Sequence, residues 1–397
     1  MSVPTLAVFA ALAVAMPWRT LAAQPDDGKV LLDLRIRNES ADQDNLPKQA
    51  NGLTVRTRLG YETSAWLGWR VLLEGESVVA LDESYNSTRN HKTTYPIIGD
   101  PPTFEVNRAQ VSWDDGPFGL VAGRQRLQFD NQRFIGNSGF RQNEQTFDAI
   151  ATSYRIATAV SVTYAYIGKV HRTAGGSGPQ GQWDSNSHLL RVQAKTAVGQ
   201  LVGYGYLLDL PTAPTQSSET WGLRLAGSRH LSQAWVVDYV GEASRQTDYR
   251  SSPTNFDLGY AFASIGLRRD KSQVLLGYER LDGDGHRGFQ TPLASFHPFE
   301  GWAGVFTTTP ANGVQDLYVS ASTSADTPLR RKVRLLVAGH DFESAKGAIN
   351  YGRELDVQAT MPITPHVEAD LSAARFEGHQ PAFPDRTRVW VTLEVHY

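Results

Sequence analysis

Apolar residues recur at every second position along most of this chain, and a period of two commits a polypeptide to half-buried β-strands rather than helices. Val30, Leu32, Leu34 and Ile36 alternate with Leu31, Asp33, Arg35 and Arg37. Leu53, Val55, Leu59 and Tyr61 alternate with Thr54, Arg56, Arg58 and Glu62. Trp221, Leu223 and Leu225 face away from Arg224, and Trp235, Val237 and Tyr239 face away from Asp238 and Glu242. The last segment sets Val389, Val391, Leu393, Val395 and Tyr397 against Arg388, Trp390, Thr392 and Glu394.

A second rhythm lies in the connections. Short turns at Glu62–Ala65, Asp114–Pro117, Thr196–Gly199 and Arg269–Ser272 alternate with long polar stretches at Glu39–Gly52, Val79–Thr103, Asp130–Gln145, His171–Ser185 and Asp282–Gly313. One quiet rim and one elaborated rim describe an up-and-down antiparallel barrel, with short turns in the periplasm and long loops outside. The alternating segments number about 18, an even count as such barrels require, and a tilted spanning strand needs about 9–11 residues. A soluble β-sandwich also alternates, but it buries its apolar face and has no long–short rhythm. Trp66, Trp69, Trp113, Tyr164, Tyr166, Trp221 and Trp235 fall near segment ends, where membrane barrels carry aromatic girdles.

Composition agrees. A mean hydropathy of −0.35 excludes a bundle of membrane helices but not a barrel, whose lipid-facing residues fill only alternate positions. The absence of cysteine removes disulfides and thiolate chemistry, and a net charge of −3 offers no basic footprint for nucleic acid. Val3 to Met16 is too short to span a bilayer and is followed by Leu21-Ala22-Ala23. That reads as residues 1–23 forming a cleaved export signal and 24–397 forming the barrel.

Of the 38 basic residues, 30 are Arg. Several sit two apart and so share a face: Arg35 with Arg37, Arg56 with Arg58, Arg124 with Arg126, and Arg386 with Arg388. The polar faces assign them to the lumen, together with Arg70, Arg191 and Arg224. Closure places the last strand beside the first, so three of the pairs share one wall in the half nearer the long loops. Guanidinium groups stay charged and grip carboxylates with a planar fork, and rings of them select anions in pores. Acidic residues pattern the same way: Glu74 with Glu76, Glu354 with Asp356, Glu368 with Asp370, and also Asp238 and Glu242. Facing walls of opposite sign predict a transverse field.

Catalytic and metal-binding patterns are lacking. Gly136-Asn137-Ser138-Gly139 has the wrong spacing for a nucleophile elbow, and Gly175-Gly176-Ser177-Gly178 precedes no helical pattern. Asp282-Gly283-Asp284-Gly285 begins like a calcium loop, but Leu293 stands where the closing Glu belongs. No enzyme activity, cofactor or metal is expected.

Six segments carry a resemblance: 104–111 (FEVNRAQV), 123–127 (GRQRL), 143–149 (NEQTFDA), 288–292 (GFQTP), 299–303 (FEGWA) and 351–356 (YGRELD). As a set they resemble the alginate-export family of Gram-negative outer-membrane barrels. The resemblance implies an 18-stranded barrel with an arginine-rich constriction, loops folded over or into the pore, and periplasmic export partners. It points to Arg124, Arg126, Arg56 and Arg58 as contacts for the carboxylates of an anionic polysaccharide. The expectation is therefore an outer-membrane channel, surrounded by lipid and lipopolysaccharide, that passes an anionic sugar polymer or oligomer. The alternative is a general or substrate-specific porin for other small solutes. The readings from other classes are an outer-membrane hydrolase, which would need a Ser-His-acid set at one rim and shows no such spacing, and a surface adhesin, against which measurable conductance would tell.

Overall fold

The computed structural model describes residues 28–178, 180–327 and 331–397; the expected export signal at 1–23 lies outside them. Eighteen strands follow one another: β1 (Lys29–Gln43), β2 (Ala50–Glu62), β3 (Trp69–Ser84), β4 (Thr103–Asp115), β5 (Phe118–Gln125), β6 (Thr146–Ala157), β7 (Val160–His171), β8 (Gln182–Thr196), β9 (Gly199–Leu208), β10 (Ser218–His230), β11 (Trp235–Thr247), β12 (Asp257–Arg269), β13 (Ser272–Leu281), β14 (Val314–Asp326), β15 (Lys332–Glu343), β16 (Asn350–Thr364), β17 (Val367–Gly378) and β18 (Arg386–His396). Each pairs antiparallel with its sequence neighbours, and β1 pairs with β18 from Asp33↔His396 to Gln43↔Arg386. The sheet is a closed barrel with no free edge, so strand pairing satisfies the backbone groups that lipid could not.

The alternation resolves into two surfaces. Leu59, Leu73, Leu223, Ile265, Val319 and Leu371 project outward and are each more than half exposed, as side chains solvated by acyl chains would be. The inward positions between them hold buried polar groups such as Arg56, Glu76, Arg224 and Asp356. Strands outrun the apolar band at the long-loop rim. The stretch expected as a loop at Glu39–Gly52 is mainly strand, because Asn38 and Ser40 on the outer face donate hydrogen bonds to Asn51 across the β1–β2 pair. A bulge in β4 at Asn107 turns that residue and Arg108 together onto Glu74.

Two long connections fold inward: loop three (126–145) and loop seven (282–313). Gly136 donates its N–H to the Leu293 carbonyl at 2.8 Å, and Ser138 donates its N–H to the Ser295 hydroxyl at 2.8 Å. Their apolar side chains, led by Phe134, Ile135, Phe289 and Phe306, pack against wall residues Tyr204, Tyr260, Phe342 and Phe376. The hydrophobic core thus lies inside the barrel, in its long-loop half.

Candidate functional site: a constriction between two loops and an arginine wall

Strands β18, β1 and β2 are neighbours, and their inward faces bring Arg35, Arg37, Arg56, Arg58, Arg386 and Arg388 onto one wall. Loop three crosses this wall at its tip. Arg35 donates to the Gly139 carbonyl at 2.9 Å, and Arg37 donates to the Phe140 carbonyl at 2.5 Å while lying 4.3 Å from that ring's centre. The Phe140 ring stacks on His297 of loop seven with centroids 3.3 Å apart, and His297 lies 5.5 Å from Trp302. Trp390 of β18 closes edge-on at 5.7 Å from Phe140. Burial pushes the His297 imidazole well below its usual range, and Arg141, Arg37 and Arg388 add to the effect, so the stack carries no charge of its own.

Two cavities meet at this stack. The outer one, about 420 Å³, lies among loops three, four and seven and includes Arg141, Arg172 and Glu300 in its lining. The inner one, about 580 Å³, is lined by four basic side chains (Arg35, Arg37, Lys271, Arg334) and three acidic ones (Glu368, Asp370, Glu394). Phe140, His297 and Trp302 belong to both linings.

Neutralisation is uneven along the wall. Arg35 and Arg56 share Glu394, each at 2.7 Å, and Arg56 also pairs with Asp33. Arg58 is held by Glu76 at 2.5 Å and by Glu144 of loop three at 3.7 Å. Arg388 bridges to Glu39 at 2.6 Å, which Arg141 also approaches. Among the described residues Arg37 and Arg386 have no carboxylate partner; they donate instead to the carbonyls of Phe140 and Gly304. Positive charge therefore persists at Arg37, beside the aromatic stack.

The other sequence-assigned residues disperse. Arg191 binds Asp130 of loop three at 2.6 Å, and Arg224 binds Glu242 at 2.6 Å. Arg70 pairs with Asp114 at the short-turn rim, and Asp238 pairs there with Arg268. Glu74 takes both nitrogens of Arg108, at 2.8 and 2.6 Å.

Two expectations are corrected. Arg124 and Arg126 do not share a luminal face: β5 ends at Gln125. Arg124 lies in register with Ala109 and Asp148 on the face of Val111 and Ile150, and binds Asp148 on the outside. Arg126, past the strand end, turns inward to Glu144 at 2.5 Å. The acidic wall also fails to face the open lumen at Glu354 and Asp356. Loop seven covers both, and the Ala303 N–H donates to Glu354 at 2.7 Å. Glu368 and Asp370, by contrast, remain in the lining of the inner cavity together with Arg35, Arg37, Lys271 and Arg334.

Residues that alternation could not single out include Arg133, His297 and Glu300, all in the inward loops. Arg133 is fully buried between Glu279 of β13 at 2.7 Å and Glu300 at 3.0 Å, and donates to the Thr291 hydroxyl at 3.1 Å. It pins loop three to loop seven and both to the wall.

Solved structures were compared with this geometry. The crystal structure of Acinetobacter baumannii OccAB3 superposes with a TM-score of 0.74 at 12% identity, covering 94% of this chain and 99% of that one. Pseudomonas aeruginosa OccK9 (OpdG) gives 0.71 at 14% identity, with the same coverages. The fold is that of the outer-membrane porins. Pseudomonas aeruginosa OpdK, solved with vanillate, gives 0.68 at 13% identity over 93% of this chain and 99% of that one. No protein-family model and no curated protein matches the chain, so the resemblance to the alginate-export family rests on its short motifs alone.

Proposed function

We propose that this chain is an outer-membrane diffusion channel for small anionic solutes, with residues 1–23 serving as its export signal. The observation that carries the reading is the junction at Phe140–His297–Trp302, where two cavities meet beside the Arg37 guanidinium. An anion entering from the loop side passes Arg141 and Arg172, then Arg37 and Arg35, then Lys271 and Arg334. Each step exchanges hydration for a guanidinium or ammonium contact, which lowers the barrier for anions and raises it for cations. The junction sets aromatic rings beside the Arg37 charge, and OpdK, a structure of the same fold, was solved with vanillate, an aromatic carboxylate. A polysaccharide chain fits less well than a small solute, because loops three and seven fill the barrel's outer half with packed side chains.

Purified protein in planar bilayers tests this. A reversal potential in a salt gradient of anion-selective sign is expected, with small aromatic carboxylates crossing proteoliposome membranes faster than neutral sugars of equal size. Cation selectivity, or passage of oligouronates as fast as of monomers, would overturn the proposal.

A further inference from the structure

A second chamber opens on the loop side, away from the aromatic junction. Loop four (172–181), loop five (209–217) and loop seven enclose about 510 Å³, within the roughly 300–1,000 Å³ of cavities that hold small ligands. None of Phe140, His297 and Trp302 lines it; it meets the outer cavity at Arg172, Thr173, Phe296 and Thr307.

Arg172 is the one charged side chain in the lining, and among the described residues no carboxylate pairs with it. Its guanidinium carbon lies 3.7 Å from the centre of the Trp183 ring. Stacking uses the face of a guanidinium and leaves its N–H edge to receive a ligand. The Nε of Arg172 is buried without a hydrogen-bond partner. Burial alone lowers the group, to about 10, so it stays charged at neutral pH.

Around this charge the lining is neutral and hydrogen-bonding. Thr215, Gln216, Thr307 and Thr308 belong to it, and among the described residues their side chains have no hydrogen-bond partner. The walls are preset. The Thr212 hydroxyl accepts the Asp184 N–H at 2.9 Å, and Trp183 donates to Gln180 at 3.1 Å. Gln246 clamps Gln290 of loop seven, accepting its N–H at 3.0 Å and donating to its carbonyl at 2.8 Å. Groups held in place beforehand lose little freedom when a ligand arrives.

We infer that this chamber is a holding site for a small polyhydroxylated monocarboxylate, a sugar acid whose carboxylate meets Arg172 and whose hydroxyls meet the threonines and glutamines. The inference deepens the channel reading above and rests on it. A lone cation calls for a single carboxylate, because a second would have no base to meet it. Threonine hydroxyls and glutamine amides both donate and accept, as a polyol requires. An acid without hydroxyls would leave these groups unpaired once water is displaced.

The test is isothermal titration calorimetry of full-length protein in detergent with gluconate, hexanoate and glucose. Gluconate should bind about tenfold or more tightly than either of the others. Arg172→Gln should weaken gluconate by about tenfold or more, and Thr215→Val/Thr308→Val by about tenfold while leaving hexanoate unchanged. Arg37→Gln should keep gluconate binding, which places the site outside the junction. Folding of each variant is checked by its heat-dependent gel mobility. The wild-type reversal potential, recorded separately, judges the channel reading, so an anion-selective channel without gluconate preference overturns this inference alone. Hexanoate or glucose binding as tightly as gluconate, wild-type affinity in Arg172→Gln, or an equal loss in Arg37→Gln overturns it as well.

Discussion

Replacing Arg133 with Met keeps an unbranched apolar stem and removes the charge that holds Glu279 and Glu300. Arg133 is 1% exposed and contacts Glu279 at 2.7 Å and Glu300 at 3.0 Å, themselves 3% and 4% exposed. Removing one partner of a buried ion cluster costs about 3–5 kcal/mol, because the remaining charges have neither water nor a counter-ion. At about 1.4 kcal/mol per factor of ten, the seated-to-displaced ratio of loops three and seven falls roughly 100-fold to several-thousand-fold. The strand ladder does not depend on this cluster, so the barrel persists while its obstruction loosens. In planar bilayers R133M should show larger and noisier single-channel conductance, and an added protease should cut loop seven faster. Adding Glu279→Gln and Glu300→Gln to Arg133→Met removes the stranded charges and should restore quiet openings in part. Wild-type conductance and wild-type cleavage in R133M would refute the argument, since Arg133 is the ion-pair link from loop three to Glu279 of β13 and Glu300 of loop seven.

Three further outcomes are expected. Arg37→Gln removes the uncompensated charge at the junction; a unit charge at 4 Å in water is worth about 1 kcal/mol, so the anion-to-cation permeability ratio should drop about fivefold, read as a reversal-potential shift. Gly301 has φ of +75° and an added Cβ would lie 2.5 Å from the Glu354 carboxylate, so Gly301→Ala should displace loop seven and raise conductance without lowering the barrel's thermal midpoint. The pH response should be one-sided. Burial pushes the Glu300 carboxyl up to about 8 with Glu279 adding to it, so its contribution to seating loop seven is greatest in acid and is lost as pH rises to about 8. Burial alone would raise Glu144, but Arg58 and Arg126 hold it at about 2, so its contribution to loop three persists until pH falls toward 2. Conductance noise should therefore grow from pH 5 to pH 8, and Glu300→Gln should abolish that trend.

The barrel was legible because alternation and the short–long connections both follow from one face meeting lipid and one meeting water. The closure of β1 on β18, and with it the clustering of Arg35, Arg37, Arg56, Arg58 and Arg388, follows from strand count and parity. Parity fails where strands end, and Arg124 and Arg126 show it: one residue past Gln125 the chain leaves the sheet, and a two-residue spacing no longer means a shared face. Which arginines keep a net charge was not legible either, because their partners are distant in sequence. Glu394 reaches Arg56 across 338 positions, and Glu39 reaches Arg388 across 349. Loop seven's cover over Glu354 and Asp356 depends on packing among aromatic side chains that have no period to read.

The narrow point of the pore is assembled across the seam where the two ends of the chain meet. Phe140 is held by Arg35 and Arg37 from β1 and is faced by Trp390 from β18, strands brought together only when the ring of strands is completed. A chain arrested before that step, with β18 unpaired, would have neither a closed wall nor the Trp390 ring that closes on Phe140. Completion of the ring and assembly of this junction are thus one event, so in the proposed channel the narrow point arrives together with the seal rather than after it.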